Sequence, residues 1–106
     1  MESFISYPKL MVFSGSEQKE LTIKLCKPMA SQNDDYSCEV EIIGLNCAVD
    51  RSYSIYGIDE VQALLLAVKF IKDVVTSTEE FQSGFIFDVD GDSIGYDFFN
   101  YYNSML

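Results

Sequence analysis

The sequence predicts an α+β domain, a mainly antiparallel sheet of about six strands in the order β-β-β-β-α-β-β with one long helix packed across it. Three observations carry this. Short segments before residue 57 alternate apolar and polar side chains, the period of strands with one buried face. The stretch 61–75 is rich in apolar residues at helical spacing. Asp90-Gly91 then sits between two further alternating segments, as a hairpin turn does. The 106 residues read as a single domain, 1–106, with no repeat, low-complexity tract or linker.

The stretch 4–13 is the first expected strand, and Pro8 makes it an edge or an irregular one. Ser14-Gly15-Ser16 reads as a turn. Leu21, Ile23 and Leu25 then alternate with Thr22, Lys24 and Cys26. The interval 28–35 is a polar loop. Tyr36, Cys38, Val40 and Ile42 alternate with Ser37, Glu39 and Glu41, a third strand with its carboxylates toward solvent. Gly44-Leu45-Asn46 turns the chain into a fourth strand over roughly 47–56.

Asp59 is the expected N-cap of the helix, with Gln62 three residues on in a variant of the capping box. Glu60 in the first turn and Lys69 and Lys72 near the end complement the helix dipole. Val61, Leu64, Leu65, Val68, Ile71 and Val75 form one apolar face. Ala63, Leu66, Ala67, Phe70 and Val74 widen it, so the helix is expected to be buried on more than one side, with the C-terminal segment covering part of it. In the hairpin, counting outward from Asp90-Gly91 sets Val89 opposite Asp92, Phe87 opposite Ile94 and Phe85 opposite Tyr96. The phenylalanines then face the core, and Asp88, Ser93 and Asp97 face solvent.

Composition excludes several kinds of chemistry. The chain has no histidine, so a thiol or hydroxyl nucleophile with a histidine base is impossible within it. Neither GxGxxG nor GxxxxGK[ST] occurs. Asp88-x-Asp90-x-Asp92 suggests a calcium loop, but position 6 would be Ser93 and position 12 Phe99, so the glycine and the bidentate glutamate are missing. No metal, cofactor or catalytic residue is expected, and the chain reads as a non-enzyme. Cys26, Cys38 and Cys47 are odd in number, contain no CxxC and read as reduced, buried thiols. The N-terminus lacks a signal-peptide pattern and the helix is too short and charged to span a bilayer. Cytoplasmic residence is therefore expected.

Charge is distributed unevenly. After Lys72 there is no Lys or Arg, while Asp73, Glu79, Glu80, Asp88, Asp90, Asp92 and Asp97 supply seven negative charges of a net −10. Such a surface steers basic partners inward and repels nucleic acid and anionic membrane. Closely spaced carboxylates imitate a phosphate backbone, and neighbouring aromatics could anchor an interface. The candidate partner-binding residues are Glu79, Glu80, Asp88, Asp90, Asp92, Asp97, Tyr101 and Tyr102. The tyrosines fit an interface and a core equally well.

Glu41-Ile42-Ile43-Gly44-Leu45, followed by Tyr56-Gly57-Ile58-Asp59-Glu60-Val61-Gln62-Ala63-Leu64-Leu65-Leu66-Ala67, resembles the signature of a family of small uncharacterised bacterial domains. The resemblance spans about residues 36–72 and implies a capped, buried helix but no site residues. By type, the small size, acidity and lack of catalytic equipment resemble bacterial immunity proteins of contact-dependent growth inhibition systems. That implies a basic toxin domain, an RNase or DNase, as partner. The alternative expectation is a housekeeping domain that binds a small ligand or an obligate partner.

Overall fold

The structure is a computed structural model that describes residues 4–6, 10–14, 17–45, 51–88 and 90–95. The elements are β1 (Phe4–Ser6), β2 (Leu10–Ser14), β3 (Glu17–Cys26), β4 (Met29–Ala30), β5 (Tyr36–Ile43), β6 (Arg51–Gly57), α1 (Glu60–Thr76), α2 (Glu79–Gln82) and β7 (Ile86–Phe87). Every strand pairing among them is antiparallel. The α+β class, with one long helix on an antiparallel sheet, is as expected.

The seven described strands occupy five ranks. β6 pairs with residues 36–42 of β5, which fills one edge of β5. β3 and β4 therefore share its other edge, and β3 in turn pairs with β1 and β2. β7 joins β2 at the far side. The expected first strand is two strands. Ser6 faces Lys24 but Leu10 faces Leu21, so the interval containing Pro8 has one more residue than the chain it faces. The expected loop at 28–35 also contributes β4, which continues β3's rank after Pro28. The fourth strand is described from Arg51 onward, and residues 47–50 of its expected span lie outside the described residues.

The core lies between the sheet and the helices. Leu21, Ile23 and Leu25 of β3 and Cys38, Val40 and Ile42 of β5 are buried, with the alternation the sequence predicts. Ala63, Ala67, Ile71 and Val75 of α1 close over them. The start of α1 is also as expected: the Asp59 side chain accepts from the Gln62 N–H at 2.7 Å. Gln62 Oε1 reaches back one residue beyond the cap, to the N–H of Ile58 at 2.7 Å.

The buried face of α1 differs from the expected one. Val61 is 65% exposed and Leu65 44%, whereas Ala63 and Ala67 are fully buried. The reason lies at Gly57, which ends β6 against the helix: a Cβ there would sit 2.5 Å from the Ala63 nitrogen. A helix this close to its sheet must turn small residues inward, and the larger Val61 and Leu65 are left at the surface. Ile58 and Leu66 are exposed too. The C-terminal segment is expected to cover part of the helix, and its residues 96–106 lie outside the described residues. No basic residue falls in the last turn either, because α1 runs four residues past Lys72.

Candidate functional site: the acidic end of the sheet

The C-terminal carboxylates gather around α2, β7 and the loop that follows. Thr78 caps α2, its side chain accepting from the Phe81 N–H at 3.3 Å. Glu79 and Glu80 occupy the first turn, where the helix dipole favours negative charge. Phe81 anchors the helix in the core at 6% exposure. The Phe85 N–H donates to the Glu80 carbonyl at 2.8 Å, and Ser93 Oγ to the Gly84 carbonyl at 3.0 Å. These bonds tie the short helix to the base of the hairpin.

The first arm of the hairpin stops pairing one residue earlier than expected, at Asp88. Asp88 N–H donates to the Asp92 carbonyl at 3.0 Å, and Gly91 N–H to the Asp88 carbonyl at 3.1 Å. Gly91 has φ +84. This is the bond pattern of a three-residue loop with glycine in the left-handed region, not of a two-residue turn. Phe87 consequently faces Ser93, and the Ile94 N–H reaches the Ile86 carbonyl at 2.9 Å. The expected pair Phe87–Ile94 is replaced, and Val89 and Tyr96 of the other expected pairs lie outside the described residues.

The shift agrees with an inverted strand face. β7 pairs with β2 so that Ile86 lies opposite Val12, and both are fully or almost fully buried. Phe87 lies opposite Met11, on the other face, and is half-buried. Phe85 is 47% exposed. The phenylalanines expected in the core are therefore exposed or half-buried, and Ile86 and Ile94 take the core positions. Sequence reasoning missed Phe85 as a surface aromatic. Asp88-x-x-Gly91 was the available signal, since aspartate before such a turn favours the three-residue loop as well.

Asp88 has a structural role. Its Oδ1 accepts from the N–H groups of Asp90 at 2.9 Å and Asp92 at 3.0 Å. This bonding gives the Asp88-x-Asp90-x-Asp92 spacing a backbone explanation. Asp90, Asp92 and Glu79 are exposed, and Glu80 is half-buried. Among the described residues no basic side chain pairs with any of these acids, whereas Asp73 is held by Lys69 at 2.8 Å. Asp97, Tyr101 and Tyr102 lie outside the described residues. Glu79, Glu80, Asp88, Asp90 and Asp92 thus belong to one linked supersecondary unit at the β7 end of the sheet.

The two described cysteines sit on β3 and β5. Cys38 Sγ donates to the Cys26 carbonyl at 2.9 Å, and both thiols are free and buried. Burial, with smaller contributions from Cys26 and Glu39, pushes the Cys38 thiol up to about 11. A thiol so disposed is a poor nucleophile. No described helix is long and apolar enough to cross a membrane.

These features define a small α+β domain with an anionic end. Residues 8–98 match a family described as a domain of unknown function, DUF6968, and the chain belongs to that family. The match extends through the hairpin, beyond the span 36–72 that carries the sequence resemblance. No curated protein and no solved structure matches the chain.

Proposed function

We propose that this chain is a non-enzymatic protein-binding module of the cytoplasm, an immunity protein that blocks a basic, nuclease-type toxin domain. The observation that supports this most directly is the acidic end. Glu79, Glu80, Asp90 and Asp92 belong to a unit free of basic residues that also carries the exposed Phe85. The carboxylates occupy the toxin's Lys and Arg in the manner of phosphates, and Phe85 fills the centre of the contact. Steric cover of the toxin's cleft does the rest. The resemblance in type to contact-dependent immunity proteins points the same way.

The test is to find whether a neighbouring gene encodes a basic toxin domain and to measure binding and growth rescue with it. The double reversal D90K/D92K should weaken binding by about tenfold or more, and F85A should act mainly through faster dissociation. Asp88 is a poor test residue because its reversal would disturb the loop itself. Unchanged binding in both variants, or a neighbouring gene that encodes no basic domain, would overturn the proposal.

A further inference from the structure

The opposite end of the sheet carries an inference independent of the acidic one. β6 is the last rank at that end and, among the described residues, pairs only with β5. Natural edge strands are normally blunted by lysine, proline, a bulge or an inward-pointing charge. β6 reads Arg51-Ser52-Tyr53-Ser54-Ile55-Tyr56-Gly57, with neither lysine nor proline, and it follows β5 in unbroken register. Its one charge is at its first position.

We infer that β6 is a homodimerisation edge, pairing antiparallel with β6 of a second copy of this chain. Full overlap of the seven residues places the twofold axis at Ser54 and sets Arg51 of each copy opposite Gly57 of the other. The charges are then complementary. Arg51 lies on the helix-covered face, its guanidinium 4.8 Å from the centroid of the Tyr53 ring. Asp59 and Glu60 lie two and three residues after Gly57, at the start of α1. Each Arg51 therefore meets the Asp59–Glu60 corner of the other copy, twice by symmetry.

Apolar surface is available at the same edge. The Phe70 ring meets Tyr53 with centroids 4.7 Å apart, which marks the side of α1 that overlies β6. Leu66, one turn earlier on that side, is 40% exposed, and Tyr56 is 56% exposed on the other face of β6. A second copy suits a chain of net charge −10 only at a place where cation meets carboxylate, and this edge provides one. It also leaves the two acidic ends far apart and free. One strand with a few flanking side chains falls below about 1,200 Å² of buried surface, so a weak, micromolar dimer is expected.

Sedimentation equilibrium of the full chain over a micromolar to millimolar range tests this. The expected result is a monomer–dimer equilibrium that R51E and E60R each weaken about tenfold, with the combined charge swap regaining most of the loss. Hydrogen exchange on the unaltered chain gives a second readout that needs no variant. Protection of β6 amides should rise with protein concentration. A monomer throughout, exchange independent of concentration, or a dimer indifferent to both variants would overturn the proposal. A dimer weakened by D90K/D92K instead would place the interface at the hairpin and also overturn it.

Discussion

Asp88 shows how one side chain can look like a ligand and act as a brace. Its carboxylate accepts two loop N–H groups, so removing it leaves both without that acceptor. Asp88→Ala is expected to cost about 1–2 kcal/mol in denaturant unfolding, while Asp88→Asn, which keeps an acceptor oxygen, should cost less than half of that. Cys38 gives a pH prediction. Below pH 9 its thiol is protonated in both the folded and the unfolded chain. As pH rises from 9.0 toward about 11 the unfolded thiol ionises first, so stability falls across that window. Unfolding midpoints measured through the window should decline, and Cys38→Ala should flatten the decline. Equal slopes in the two proteins would contradict the buried, neutral thiol.

At the scale of the element, β3, β5 and the cap of α1 were legible because each depends on neighbours a few residues away. Alternation sets which side of a strand is apolar, and Asp59 binds an N–H three residues on. The buried face of α1 was not legible, because almost every position from 63 to 71 is apolar and the choice falls to the closeness of Gly57. Val61→Lys should therefore change stability by less than about 0.5 kcal/mol. Ala67→Leu should cost about 1–3 kcal/mol, because it overpacks a fully buried site. Thermal unfolding of the two variants decides between the observed face and the one read from hydrophobicity. The hairpin was half legible. Asp90-Gly91 located the turn, but two- and three-residue loops accept the same glycine. Met11 and Val12 of β2 chose between the two faces of β7.

Over the whole molecule, the sheet separates two properties. Among the described residues, the acids of the hairpin have no basic partner, and β6, which carries Arg51, pairs only with β5. A field from one end should orient a basic partner before contact. If the proposed partner is a basic toxin domain, its stopped-flow association is expected to slow by at least about tenfold as ionic strength rises from low to physiological values and above, while dissociation changes little. An association rate independent of salt would argue against steering by this end. Of the eight residues expected to form the interface, five fall in one linked unit, and Asp97, Tyr101 and Tyr102 lie outside the described residues.

By itself the sequence determined the class of fold, the strands whose alternation is unambiguous, the capped helix and the basic-free C-terminal third. These depend on composition and on interactions between near neighbours. Tertiary structure alone decided that Ala63 and Ala67 face the sheet, that Ile86 displaces Phe85 and Phe87 from the core, and that the acidic end lies opposite β6. Each of those depends on which strand lies beside which and how closely a helix approaches. A uniformly apolar stretch offers several faces of similar hydrophobicity, and only the shape of the surface it meets selects one.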